Sequence, residues 1–178
     1  THSLGILLKT LASDSGTGKV TNLQEGRFVL MRRANDISQT KSFIPAPEVG
    51  SHSDDTFGTH HARDAYHLFK TLNYNLNLYS SAVKLNTQYM HSLWFNLKLK
   101  EKVSKDEAVQ RLVENPQVAV TYKPSTASVF SFGRDHGYYG RILTQTVAVL
   151  PSIEVINGGK EIVGFCFTPQ DGNSLLST

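Results

Sequence analysis

The sequence predicts an α+β domain in two layers: a mixed or largely antiparallel sheet that carries helices on one face. Three observations predict it. Apolar residues recur at helical spacing in only three places, strand-like alternation fills much of the rest, and strands follow one another with few helices between them. That order belongs to an α+β layer rather than to a doubly wound parallel sheet. With 178 residues, 39% of them hydrophobic and 19% charged, the chain has the size and composition of one folded domain with its own core.

The chain opens on an amphipathic helix, with Leu4, Leu7, Leu8 and Leu11 on one face. Ser13 to Gly18 is a turn, and Arg27 to Arg33 reads as a strand ending in a basic pair. Ile37 to Gly58 is loop, holding Pro45, Pro47, Gly50 and Gly58, and its length points to a functional segment rather than a plain connector. A second helix follows, with Ala65, Leu68, Phe69 and Leu72 as its apolar face and His60 and His61 at its entry. Two long strands come next, Asn75 to Leu85 and Thr87 to Lys100. The second sets Leu93, Phe95, Leu97 and Leu99 on one side, together with His91, while Trp94 faces the other way.

Ser104, Lys105, Asp106 and Glu107 form a capping box, with Val103 and Ala108 as its hydrophobic staple. A third helix is therefore expected from there to about Asn115, before Pro116. Val118 to Tyr122, Thr126 to Phe132, Arg141 to Val149 and Glu161 to Phe167 are expected strands, and Asn157-Gly158 marks a hairpin turn. No Gly-rich phosphate loop follows a strand, so the chain carries no dinucleotide-binding unit of its own.

Composition narrows the partners. The net charge is +3, and the one basic run, Lys98, Lys100, Lys102 and Lys105, reads as a solvated strand end rather than a nucleic-acid stripe. No apolar run approaches the roughly 18 residues of a membrane span, so neither nucleic acid nor membrane is an expected partner. A single cysteine excludes an intrachain disulfide framework and suits a reducing compartment. The sequence starts at Thr1 without a methionine and enters a helix almost at once, which leads us to expect a domain excised from a longer chain. The competing reading, an N-terminal-threonine hydrolase, is disfavoured because a strand would be expected to present such a nucleophile.

Three polar clusters could carry chemistry. Arg32 and Arg33 end a strand and point to opposite faces, so they serve different partners or are simply surface arginines. His60 and His61 combine helix-start N–H groups with two imidazoles and have Arg63 close by, which suits a phosphate group but also a loop surface. His91, within an apolar strand face, is either a hydrogen-bonded core histidine or a base. No metal site is expected, because no second and third ligand stand at helical or Cys-type spacing.

Taken in order, Arg32-Arg33-Ala34-Asn35-Asp36, Thr59-His60-His61, Ala82-Val83-Lys84-Leu85-Asn86-Thr87 leading to Met90-His91, and Ser125-Thr126-Ala127 followed by Phe132-Gly133-Arg134-Asp135 form a register. The sequence resembles, over nearly its whole length, the catalytic domain of archaeal-type (type II) glyceraldehyde-3-phosphate dehydrogenase. The resemblance implies the fold of that enzyme's C-terminal domain, with residues 1–178 as a single substrate-binding domain cut from a chain that has an N-terminal Rossmann domain. In that family the nucleophile lies in a Cys-Asn-Thr segment opening a helix, and Thr1 resembles its threonine, with the cysteine just upstream.

The resemblance further implies NAD(P)-dependent phosphorylating oxidation of glyceraldehyde 3-phosphate to 1,3-bisphosphoglycerate, in glycolysis or gluconeogenesis. The upstream thiolate would attack the aldehyde, NAD or NADP would take the hydride, and inorganic phosphate would cleave the resulting thioester. His91 would be the catalytic base, Thr1, Arg32, His60 and His61 would bind the phosphate-bearing substrate, and Arg33 and Gln170 would face the nicotinamide cofactor. A cytoplasmic homotetramer is implied as well. Two departures bear on the substrate: Ala62-Arg63-Asp64 stands where the family commonly has Gly-Pro-Asp, and the preceding loop is longer, with Ser51-His52-Ser53-Asp54-Asp55. Another two-domain semialdehyde dehydrogenase, or a non-catalytic binding module of the same fold, are the alternatives. Cys166, inside an apolar strand, is expected to be a buried small hydrophobe and not a nucleophile.

Overall fold

A computed structural model describes residues 1–34, 44–50, 52–87, 89–135 and 146–169, those of 133–135 by backbone alone. In chain order the elements are α1 (His2–Leu11), β1 (Leu23–Arg32), β2 (Glu48–Val49), β3 (Ser53–Asp54), β4 (Gly58–Thr59), α2 (His60–Lys70), β5 (Leu78–Lys84) and β6 (His91–Leu99). There follow α3 (Lys105–Glu114), β7 (Ala119–Thr121), α4 (Thr126–Asp135), β8 (Val147–Val149), β9 (Glu154–Ile156) and β10 (Glu161–Thr168).

The main sheet runs β2-β5-β1-β6-β10-β8-β7, with β9 also pairing β10. It is mixed: β1 with β5 and β7 with β8 are parallel, and the remaining pairs are antiparallel. The period-two alternation of β6 decides the layering. Leu93, Phe95, Leu97 and Leu99 are buried on one side, where they meet Leu4, Leu7, Leu8 and Leu11 of α1, none of them exposed at all. α2 adds Ala62, Ala65 and Phe69 to this core, and α3 adds Ala108 and Leu112. Each fully buried leucine or phenylalanine contributes about 1.5 to 3 kcal/mol, so this layer dominates the stability of the fold. The chain is thus the α+β, two-layer arrangement that the sequence predicts.

Several local expectations hold. Ser104 caps α3, its hydroxyl accepting from the Glu107 N–H at 3.1 Å, and Val103 and Ala108 are both buried. Asn157 and Gly158, at φ 52° and 63°, turn the chain between β9 and β10, as an Asn-Gly hairpin requires. Cys166 is fully buried between Leu93 and Ala148, and burial pushes its thiol up to about 12. It is a packing residue there, far from a thiolate.

Other expectations are corrected. Thr126 to Phe132 is helical, not a strand: its Val and Phe residues favour strands, yet only Val129 finds a buried place, and the Val129 N–H reaches the Ser125 carbonyl at 3.0 Å. Val129 packs with Met90, Val147, Val149 and Phe167. Since Ala148 belongs to the main core and its neighbours to this cluster, β8 is covered on both sides. In α2 the buried stripe is Ala62, Ala65 and Phe69, while Leu68 and Leu72 are exposed, because the helix meets the sheet one turn earlier than the leucines suggest. Of the expected strand Arg141 to Val149, the described part forms β8, and residues 141–145 lie outside the described residues. The long loop before α2 holds the short strands β2, β3 and β4.

Candidate active site

β1, β6 and β10 end together on the helix-covered side of the sheet. Leu30 and Arg32 of β1 share that face by alternation, His91 and Leu93 of β6 lie beside them, and Thr168 of β10 is in register with His91. The start of α1 (Thr1, Ser3, Leu4) and His61 of α2 close over these strand ends, leaving a cavity of about 100 Å³. Thr1, Arg32, His61 and His91, separated by some thirty residues each in sequence, line this one space. Ser3 is 3.0 Å from Thr168 across it, hydroxyl to hydroxyl.

His91 is oriented by the backbone. The N–H of Arg33, which can only donate, meets its Nδ1 at 2.9 Å. Nδ1 is therefore the acceptor, and a neutral His91 carries its proton on Nε2. Arg33 itself is buried, 3% exposed, and Arg32 is half-buried, so the two guanidiniums have different surroundings, as strand geometry requires.

His61 is held from the other side. The Thr1 backbone nitrogen lies 3.3 Å from its Nδ1, and its buried Nε2 has no hydrogen-bond partner among the described residues. Burial above all, with the charges of His60, Arg32 and His52, pushes His61 down to about 2, so it stays neutral at ordinary pH. The Asp64 carboxylate accepts from the Thr1 hydroxyl at 3.5 Å. Burial lowers the pKa of His2.

The start of α2 differs from the sequence expectation of free N–H groups. Thr59 caps the helix: its hydroxyl accepts from the His61 N–H at 3.3 Å and lies 2.6 Å from the Ser80 hydroxyl, which accepts from the Ala62 N–H at 3.2 Å. The His60 N–H reaches the His52 carbonyl at 3.2 Å. These amides are already satisfied, so any anion here must be held by side chains. Arg63 is not one of them, being engaged with Asp54 at 3.4 Å and Asp64 at 3.1 Å.

His60 and His61 stack with ring centres 4.0 Å apart, and His52 meets His60 edge-on at 4.8 Å. The sequence reading gave no role to Ser3, Ser80, His52 or Thr168. Thr168 could have been suspected from its alternation with Cys166, but Ser3 comes to the site through the packing of α1, and Ser80 and His52 through β5 and the hairpin before α2. Gln170, the other expected cofactor residue, lies outside the described residues. Among the described residues no cluster of His, Cys, Asp and Glu could hold a metal ion, and no helix is long and apolar enough to cross a membrane.

No family model matches the chain. Among curated proteins it is similar to enzymes named glyceraldehyde-3-phosphate dehydrogenase. That of Saccharolobus islandicus (strain L.S.2.15) is 29% identical over 138 residues, covering 72% of this chain and 36% of the relative. That of Saccharolobus solfataricus is 28% identical over 138 residues, with the same shares, and that of Sulfurisphaera tokodaii is 26% identical over 129 residues, 67% of this chain and 34% of the relative. The chain thus spans about a third of the length of these relatives.

Proposed function

We propose that this chain is the substrate-binding domain of an archaeal-type, NAD(P)-dependent phosphorylating glyceraldehyde-3-phosphate dehydrogenase. The observation that carries the reading is the single cavity shared by Thr1, Arg32, His61 and His91 at the start of α1. In the family resemblance the nucleophilic cysteine stands just before the residue matched by Thr1, so in a longer chain its thiol would lie at this cavity, where the α1 dipole favours a thiolate. The nicotinamide, when bound, supplies hydride acceptance; the chain's own residues bind, orient and move protons.

His91 would act on the reacting end. With Nδ1 occupied as an acceptor by the Arg33 N–H, neutral His91 carries its proton on Nε2 and can donate it to a thiolate or to the oxyanion developing at the carbonyl oxygen. To take the thiol proton as a base there, the ring must first give up the Arg33 N–H and shift its proton to Nδ1. Arg32, His60, His61 and Thr1 would bind the phosphate-bearing substrate; neutral His61 can contribute an N–H but no charge, so Arg32 supplies the permanent positive charge. Arg33 and Gln170 remain our proposed contacts to NAD or NADP, and the buried Arg33 also orients His91 through its backbone. Inorganic phosphate is the second substrate. A cytoplasmic homotetramer in glycolysis or gluconeogenesis completes the proposal.

The test is a substrate panel on the full-length protein. NAD(P)H formation should require glyceraldehyde 3-phosphate and inorganic phosphate together. Activity only with an acyl-phosphate-linked semialdehyde would favour the other two-domain dehydrogenases, and no aldehyde-dependent activity would favour a binding module.

A further inference from the structure

We propose that His52 is a third imidazole of the anion site, binding the phosphoryl group of the substrate together with His60 and Arg32 and setting the preference for phosphorylated aldehydes. The assignment of the anion as a phosphoryl group rests on the function proposed above; the gathering of side chains does not. His52 belongs to the longer loop in which this chain departs from the resembling family, so nothing in the resemblance assigns it a role.

The loop is built to hold the ring in place. β3 and β4 form a small hairpin, Ser53 pairing with Thr59 and Asp54 with Gly58. Asp54 fastens its turn, one carboxylate oxygen accepting from the N–H groups of Thr56 at 3.0 Å and Phe57 at 2.9 Å, the other from Arg63 at 3.4 Å. Gly58, at φ 76°, lies so close to β5 that a Cβ would sit 2.2 Å from the Ser80 carbonyl oxygen, which only glycine allows. His52 precedes this hairpin in the left-handed region, φ 63°, and its carbonyl accepts from the His60 N–H. The result sets its ring 4.8 Å from that of His60 and 6.1 Å from that of His61.

Charge gives the arrangement a purpose. Burial lowers the affinity of His52 for protons most, and Arg32 of β1, His60 of α2 and Lys84 of β5, all basic, add to it. Burial lowers the proton affinity of His60 most; among charged side chains Asp64 opposes this, while Arg63 and Arg32 add to it. Asp64 and Asp54 both engage Arg63, and beside the cavity-lining His61 the rings of His60 and His52 gather with Arg32 and Lys84 acting on them. A dianion between them would turn mutual repulsion into attraction and favour the protonated forms of His52 and His60. His52, next to the cavity-lining His61 through the ring of His60, would thus grip the phosphoryl group while His61 stays neutral inside.

The experiment compares the full-length wild type with His52→Gly and His52→Asn, both of which tolerate the left-handed backbone and keep the His60 bond. Loss of one charge-assisted hydrogen bond should raise KM for glyceraldehyde 3-phosphate about 10-fold or more, leave kcat nearly unchanged, and leave KM for unphosphorylated glyceraldehyde where it was. In parallel, NMR of the histidine rings should show the His52 signal moving toward the protonated form when inorganic phosphate is added near neutral pH. An unchanged KM ratio and a still His52 signal in an active wild type would overturn the role of His52 alone. A wild type without aldehyde-dependent activity would overturn the dehydrogenase reading, and the NMR titration would then decide the anion site by itself, an unmoved signal refuting it.

Discussion

The two faces of the same sheet are used differently. On the helix-covered face, rows of buried residues such as Leu30, Leu93 and Cys166 run up to a polar end, where Arg32, His91 and Thr168 meet His61 around a cavity. On the opposite face, the matching row is Ser81, Val29, Trp94 and Phe165, partly exposed and apolar in its middle, with Phe165 38% exposed. Beside it a buried carboxylate, Glu161, is held by the side-chain amides of Asn96 and Asn157. One face converges polar groups on a point; the other spreads apolar surface over an area. The first arrangement suits chemistry on a small molecule, and the second suits contact with another protein surface, here proposed to be a further subunit.

That contrast predicts unequal responses to mutation. Phe95→Ala, on the helix side and wholly buried, should cost about 3 to 5 kcal/mol in urea unfolding. Its neighbour Trp94→Ala should cost the chain on its own only about 1 kcal/mol, yet shift the full-length protein toward smaller oligomers in sedimentation velocity. Equal losses from both, with oligomerisation untouched, would break the comparison. A smaller effect concerns Ser104→Ala, which removes the cap of α3 and should lower stability by about 1 kcal/mol on the same unfolding assay.

The site also has a pH signature. His61 is held neutral in the fold at about 2, below its ordinary value near 6.5, so the unfolded chain binds more protons between these limits. Stability contributed at this position is complete above about pH 6.5 and declines as pH falls below it. Melting temperatures measured from neutral pH to about pH 5 should therefore drop more for the wild type than for His61→Gln. An identical drop would mean that His61 titrates freely.

Much of this was legible in the sequence because it rests on local signals. The leucines of α1, the alternation of β6, the capping box of α3 and the Asn-Gly turn each fix their element with near neighbours. α4 was misread because valine and phenylalanine favour strands, and only packing with Val147 and Phe167 shows which side is buried. The candidate site was legible as separate residues but not as an arrangement. The tautomer of His91 depends on the Arg33 N–H across a strand pair, and the neutrality of His61 on burial beneath the start of α1. The edge-on contact of His52 with His60 depends on a hairpin that no hydrophobic pattern announces.

The central claim is that His91 acts on the reacting end of the substrate and His60 on its phosphate, and steady-state kinetics of the full-length protein test it most directly. After circular dichroism confirms folding, His91→Asn should lower kcat by about 10² to 10⁴ with a modest change in KM, as loss of an acid–base group does. His60→Asn should chiefly raise KM for glyceraldehyde 3-phosphate. The reverse pattern, or a His91→Asn enzyme with the wild-type kcat, would contradict the account.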